Sequence, residues 1–334
     1  MATNNAPFDL RASHIQDAAA ALIPDPRQVC SMTVEAGFVR ARILAPFEPG
    51  TVSGSPVPEH YQAPSLLVAA LPYGNCSIKS DAVGCETGSI VGVIPAGEGA
   101  ARIAPFARRN YYREAVKRLQ KLSVAFRSWY GGKKADFRIL CNSPVPEKPL
   151  AVACGLGSVG RNSLIITPEA GSLVIIAAMT LPFTLKRDEQ GNVNGTPFPR
   201  CRGCDPLAPP CVQACPTGAL RGDGIITLNH CIQWYASGKG DTVPPEVARK
   251  WGNRLYGCTE CQDACIHNQR PIQGVQSEEG PLPAYLDAKE LCSLTEGELK
   301  ARFKGTAMGL SWLGPEGIRR NAELVLKTYH KIIF

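Results

Sequence analysis

An α+β fold followed by a cysteine-dense module and a short helical tail is what this sequence predicts. Three observations carry it. Short apolar runs alternate with one long amphipathic stretch through the first half of the chain, eight cysteines crowd between Cys201 and Cys265, and the residues after Pro281 have helical spacing with a capping signal. In order, a helix is expected near Ile15 to Leu22, then strands over Gly37 to Leu44 and Ser65 to Leu71. Arg109 to Tyr130 reads as a helix: Ala115, Leu119, Leu122 and Phe126 share one face, while Arg113, Lys117, Arg118 and Lys121 lie mostly away from it, on a solvated side. Phe137 to Cys141, Leu164 to Ile166 and Leu173 to Ala178 are further strand candidates. Near residue 186 the texture changes to the turn-rich KRDEQGNVNGTPFPR. The expected division is therefore 1–185, 186–280 and 281–334. In the last region Thr295-Glu-Gly-Glu298 is a capping box, and Ile318 to Tyr329 is apolar at helical spacing.

The bulk numbers narrow the function class. A chain of 334 residues, 44% hydrophobic and 19% charged, can bury a substantial core. Its polar, Pro-interrupted opening MATNNAPFDLRASHIQDAAAALIPDP has no leader pattern, so a cytoplasmic address is expected. Apolar stretches such as Ser172 to Leu181 fall short of the roughly 20 residues a bilayer span needs, so no membrane partner is expected. A net charge of +7 allows an anionic partner, whether nucleic acid, a phosphate-bearing cofactor or an acidic redox protein, without choosing among them.

Fourteen cysteines in an unexported chain point to metal ligation rather than disulfides. CRGCDPLAPPCVQACPTGAL places Cys201, Cys204, Cys211 and Cys215 in a run ending Cys-Pro; GCTECQDACIHN adds Cys258, Cys261 and Cys265, and Cys231 lies between. The bacterial ferredoxin run is C-x2-C-x2-C-x3-C-P, whose fourth cysteine reaches the other cluster. Here the second gap holds six residues, so an inserted DPLAPP loop must bulge while Cys211 returns to iron. The crossover assigns Cys201, Cys204, Cys211 and Cys265 to one [4Fe-4S] cluster, and Cys215, Cys231, Cys258 and Cys261 to the other. Zinc accepts C-x2-C pairs too, but needs neither C-x3-C-P nor eight crossing ligands. The module is thus expected to be ferredoxin-like. Cys30, Cys76, Cys85, Cys141, Cys154 and Cys292 read as small buried hydrophobes, and His267 as a neighbour of the ligands rather than one of them.

Gly155, Gly157 and Gly160 in CGLGSVGRN match the dinucleotide fingerprint G-x-G-x-x-G, which requires a strand before it and a helix after. Upstream SPVPEKPLAVA offers no clean strand, and downstream SLIIT is β-branched before Pro168. The glycines are better read as a loop that lets backbone approach another cofactor closely.

The order of segments resembles a known family. From about Glu35 to Leu326 the chain carries EAGFVRARILAP, SLLVAALPY, IAPFARRNYYREAVKRLQKL, CNSPVPEKPLAVACGLGSVGRNSLIITPEAGS, the CPTGAL run with Cys231-Ile-Gln, GNRLYGCTECQDAC, FKGTA and RRNAELVL. These are similar to segments of the cobalamin-dependent epoxyqueuosine reductases, which complete queuosine synthesis on tRNA. The resemblance implies an N-terminal nitroreductase-like cobalamin-binding domain before the double-cluster module, and electrons passing from a flavodoxin or ferredoxin through the clusters to cobalamin. It places cobalamin against the Ser143 to Lys148 loop, with Ser143, Glu147 and Lys148, the Gly155, Gly157 and Gly160 loop, and Gln233 beside the corrin.

Two departures bear on chemistry. The family's proton donor is an aspartate in Asp-Tyr-His, where this chain has Asn110-Tyr111-Tyr112. A carboxamide is no general acid near neutral pH, which leaves Tyr111 or Tyr112 as the nearest proton source, or else as aromatic packing at a helix start. Gln233 to Gly238 replaces the family's Ser-Tyr-Leu-Thr-Ile-Glu, and the sequence stops before the family's C-terminal helical repeats, so both substrate choice and the grip on tRNA are open. The resemblance implies a reductase acting on epoxyqueuosine in tRNA or a related oxidised compound. The other reading is an electron-transfer protein that reduces a corrinoid or a partner enzyme.

Overall fold

The computed structural model describes residues 24–45, 61–73, 99–186, 201–240, 242–269 and 281–332. The elements in the first part are α1 (Pro26–Glu35), β1 (Arg40–Leu44), β2 (Ser65–Pro72), β3 (Ala100–Ile103), α2 (Tyr111–Tyr130), β4 (Ile139–Leu140), α3 (Glu147–Ala153), β5 (Ser158–Val159), β6 (Ile165–Ile166) and β7 (Val174–Leu181). Then come α4 (Pro210–Gln213), α5 (Ile232–Ala236), α6 (Pro245–Ala248), β8 (Arg254–Tyr256), α7 (Glu260–Asp263), β9 (Tyr285–Asp287), α8 (Ala288–Ser293), α9 (Glu296–Phe303) and α10 (Gly314–Ile332). No helix among the described residues is long and apolar enough to cross a membrane.

An antiparallel sheet in the order β1-β2-β7-β4 organises the first part. Successive strand side chains face opposite ways, and all eight residues of β2 are buried, so both faces of the sheet must be covered. Leu67, Ala69 and Leu71 join Ala115, Leu119, Leu122 and Phe126 of α2 and Val29 and Met32 of α1 in one core. Leu66, Val68 and Ala70 face the other way, onto Leu150, Ala151 and Val152 of α3 and Ile165 of the β5–β6 hairpin. Burying a side chain such as Phe126 contributes about 1.5–3 kcal/mol, and α2 presents three of that size, Leu119, Leu122 and Phe126, at helical spacing.

The helix starts have local causes. Asp25 accepts a hydrogen bond from Arg27 N at 2.9 Å ahead of Pro26 in the first turn. Asn110 caps α2 by accepting from Arg113 N at 3.0 Å. The Thr295–Glu298 capping box forms as expected. Helix α3 grows from the segment that looked unsuited to regular structure: Pro149 lies in its first turn, where an amide would have no intrahelical acceptor. The helix expected near Ile15 to Leu22 lies outside the described residues, as do Cys76 and Cys85.

A second sheet, β8-β3-β9, takes one strand from each of the three expected regions; β3 runs parallel to β8 and antiparallel to β9. Its core gathers Ile103, Trp251, Leu255, Leu291, Phe303 and Val325. The tail therefore includes a strand as well as helices. Asn321, fully buried in α10, donates to Ala236 O at 3.1 Å and Leu255 O at 2.9 Å, which ties the tail to α5 and β8.

A buried polar network joins the first sheet to the cysteine-rich part. Asn268 Oδ1 accepts from Ser172 N at 2.8 Å, and its Nδ2 donates to Ser172 Oγ at 2.9 Å and Gln262 O at 2.8 Å. Gln262 Nε2 donates to Tyr73 Oη at 2.6 Å and Ser172 O at 3.0 Å. Gly171, at φ +53°, permits this approach, since a Cβ there would stand 2.1 Å from Asn268 Oδ1. Replacing Asn268→Leu strands the Ser172 amide and the Gln262 carbonyl, at about 1–3 kcal/mol each. The urea midpoint of the full chain should fall accordingly; an unchanged midpoint would mean that the network is not a clamp.

Candidate metal centre and adjoining cleft

Short helical turns deliver the thiols. Pro209 and Pro210 open α4, which carries Cys211 and ends just before Cys215; α7 carries Cys261 and ends just before Cys265; Cys231 caps α5. Cys201, Cys204, Cys211 and Cys265 line a single cavity together with Gly160, Arg161, Asn162, Ile266 and His267. Burial, then the neighbouring Cys265, Cys201 and Cys204, push the Cys211 thiol up to about 11. Cys265 is raised by burial and by Cys201 and Cys204. In the other group Cys261 is driven well up by burial and then by Cys258, Cys231 and Cys215, and Cys231 and Cys258 are raised chiefly by burial. The fold thus brings the eight predicted cysteines into two groups, each completed across the two runs.

Such groups suit cationic iron. Thiols such as Cys211 and Cys261, raised by burial and by neighbouring thiols, resist becoming thiolates unless a metal supplies the opposing charge. Among the described residues no three His, Cys, Asp or Glu side chains converge on a single ion; a cubane keeps its ligands on four separate irons and asks for a wider set. Backbone donors already address the sulfurs, with Arg161 N 3.4 Å from Cys201 Sγ and Ala219 N 3.3 Å from Cys215 Sγ. Gln233 Oε1 accepts from Cys258 N at 3.1 Å, which places this residue at the second group.

Beside that second group stands Lys148. It donates to Ser163 O at 2.7 Å, and its ammonium is pushed down by burial against the upward pull of Cys231, Cys261 and Glu147. Yet its side chain is exposed. Glu147 Oε1 accepts from Ser143 N at 3.0 Å, and the Ser143 hydroxyl bridges to Val145 O and N. Burial, followed by Tyr256, Cys141 and Glu147, pushes the Tyr112 hydroxyl up to about 12. Its ring meets Trp312 edge-on at 6.2 Å, and Trp312 Nε1 donates to Tyr256 Oη at 3.3 Å. Cys141, also raised to about 12 by burial and Glu147, completes this wall.

The other expected residues separate. Asn110 spends its side-chain oxygen on capping α2. Tyr111 packs its ring 5.9 Å from Tyr73, against the first core. Gly155 turns the chain after α3 at φ +75°. At Gly157 and Gly160 a Cβ would stand 2.6 Å from Ile166 O and 2.3 Å from Asn162 Oδ1. What approaches these glycines so closely is the protein's own β6 hairpin, and Gly160 borders the first cysteine cavity. Tyr256, Trp312 and Cys141 were missed at the sequence level. Tyr256 had a faint signal in its place two residues before Cys258, while Trp312 is remote in sequence and carried none.

Comparison with known proteins sharpens this. Residues 200–268 match the family described as 4Fe-4S double cluster binding domain. Epoxyqueuosine reductase of Bacillus subtilis is 34% identical over 227 residues, covering 66% of this chain and 55% of that protein. The chain thus spans about half the length of that curated relative. The structure of epoxyqueuosine reductase from Streptococcus thermophilus superposes with a TM-score of 0.70 at 18% identity, covering 91% of this chain and 81% of that one. A crystal structure of epoxyqueuosine reductase with a tRNA-Tyr epoxyqueuosine-modified stem loop gives 0.68 at 23% identity, with the same coverage. At these identities the two solved structures share the fold.

Two thiol groups of four predict about eight irons and eight sulfides per chain in anaerobically prepared protein. Cys265→Ser should degrade the cluster at Cys201, Cys204 and Cys211, while the one nearest Cys261 in sequence survives. EPR of the reduced variant reads which signal remains, and loss of the other signal instead would refute the crossing.

Proposed function

We propose that the chain, which is similar to the epoxyqueuosine reductases, is an oxidoreductase in which two [4Fe-4S] clusters, held by Cys201, Cys204, Cys211, Cys265 and by Cys215, Cys231, Cys258, Cys261, feed a cobalamin beside the second cluster. The observation that carries this reading is Lys148, which feels both Cys231 and Cys261 and adjoins Glu147, the carboxylate that also acts on Tyr112. A one-electron relay would thereby end beside an exposed cation. The donor set fits a large amphiphilic cofactor: aromatic edges from Tyr112 and Trp312, a cation at Lys148, and a hydroxyl at Ser143 fixed by its own loop. When bound, cobalamin supplies the strongly reducing chemistry that side chains lack. Ser143, Glu147 and Lys148 would hold it from one side, and Gln233 would lie between it and Cys258. The Gly155 to Gly160 turn supports this pocket through the hairpin behind it.

The proton falls to Tyr112. Asn110 is engaged as a helix cap and carries no acidic proton, and Tyr111 is turned toward Tyr73. Burial raises the Tyr112 pKa, so its neutral form persists until pH approaches about 12. Through neutral and mildly alkaline pH the residue therefore keeps a proton to give, and its own ionisation imposes no loss of rate there. The substrate proposed is epoxyqueuosine in tRNA or a related oxidised compound. The exposed Arg113, Lys117 and Lys121 on α2 and the net charge of +7 suit a polyanion, and a flavodoxin or ferredoxin is the proposed electron donor. The rival reading, electron transfer to a corrinoid or partner enzyme, draws on the loss of the carboxyl at position 110.

Cluster-loaded protein should retain micromolar cobalamin in equilibrium dialysis and shift its absorption bands; no retention would remove the corrinoid reading. Tyr112→Phe should lower turnover by roughly 10²-fold or more while the clusters still reduce cobalamin. Asn110→Asp preserves the helix cap and should raise epoxyqueuosine reduction on tRNA. Full activity in Tyr112→Phe together with no gain in Asn110→Asp would favour electron transfer without substrate protonation.

A further inference from the structure

Five buried side-chain nitrogens among the described residues have no hydrogen-bond partner, and two of them, Arg161 Nε and His267 Nε2, belong to residues lining the cavity of Cys201, Cys204, Cys211 and Cys265. Buried donors are almost always paired, and an orphan calls for a missing ion, group or water. Both residues are held in place. The Arg161 amide lies 3.4 Å from Cys201 Sγ, and its guanidinium donates to Gly222 O at 3.0 Å, which leaves Nε as the uncommitted donor. His267 stands in the turn Ile266–Asn268, anchored by the Asn268 network and backed by Gly171, where a Cβ would stand 2.6 Å from His267 O. The sequence around it is distinctive as well. Cys215 is followed by Pro216, whereas Cys265 is followed by Ile266 and His267.

We infer that His267 Nε2–H and Arg161 Nε–H donate hydrogen bonds to sulfurs of the cluster in this cavity, as positioning residues that raise its reduction potential. The inference rests on the double-cluster reading. A cubane presents sulfide and thiolate sulfurs, both acceptors, in the space these donors border. Donation to sulfur draws off electron density and favours the reduced cluster, since outer donors tune metal sites in this way. Four thiols already share the cavity, so the imidazole has no coordination position to fill. The cluster at Cys215, Cys231, Cys258 and Cys261 touches neither donor and is left at its own potential.

The test is an EPR-monitored redox titration of the anaerobic full-length chain, with the signal of this cluster identified as the one lost in Cys265→Ser. His267→Phe should keep about eight irons and make this cluster harder to reduce, changing its ratio of reduced to oxidised form at a fixed potential roughly tenfold, about 59 mV for one electron. The other signal should not move. Arg161→Met should shift the same signal in the same direction, and His267→Asn, which retains an N–H, should recover part of the loss. Histidine-selective ¹⁵N labelling of the unmodified sequence gives a reading independent of variant folding: a weak histidine nitrogen coupling on the reduced cluster is expected. Unmoved potentials in iron-replete His267→Phe, or a nitrogen coupling that is absent or of ligand size, would overturn the inference. An unmodified protein with four irons or fewer would instead overturn the double-cluster reading beneath it.

Discussion

Ser172 is where the two halves of the molecule are made into one. Its amide, carbonyl and hydroxyl are all bonded to Asn268 and Gln262, in a site closed to water. Buried polar groups are tolerable only when every partner is present, so the sheet edge leading into β7 and the turn carrying Cys265 can meet in just one register. That register sets the rest. Gln262 neighbours Cys261, Asn268 follows His267, and Tyr73, bonded to Gln262, carries the ring against which Tyr111 and Phe106 pack.

The two cysteine groups also account for unfavourable features of the chain. Thiols pushed well above their usual range, and buried nitrogens without partners, are costs in a protein with nothing to compensate them. Around iron and sulfide they become ligands and donors. Arg254 makes a related point at the second group. It is buried, paired with Glu260, and donates to Trp251 O at 2.6 Å and Lys250 O at 3.4 Å. It lies close enough to lower the Cys258 thiol against the larger effect of burial. Packing there is arranged for charge as much as for volume.

The surroundings of Tyr112 follow from the double-sided sheet. Because β2 is covered on both faces, α2 on one side and α3 on the other bring Tyr112 and Glu147 to the same end of the first part, next to Lys148 and the second cysteine group. Trp312, from the far end of the chain, and Tyr256, from β8, close the wall because α10 is pinned to β8 through Asn321. Three distant stretches of chain therefore meet at Tyr112, while the residues between them serve as scaffold.

What the sequence by itself determined was whatever local spacing can encode. The apolar run of β2, the amphipathic period of α2, the Thr295 capping box and the cysteine intervals each state their pattern within a few residues, and the ferredoxin-type run led to the expectation that Cys265 crosses to the first run. Only the tertiary structure decided how Tyr111 and Tyr112 part company, that the Gly157 and Gly160 approach is made by the chain's own hairpin, and that α3 forms despite three nearby prolines. It also decided that β3, β8 and β9 build one sheet across three regions of the chain, and that Arg161 and His267 border the first cysteine group. The physical reason is the same in each case. These outcomes depend on which group stands opposite another across a long separation in sequence, and burial, electrostatics and hydrogen-bond satisfaction act on that distance in space.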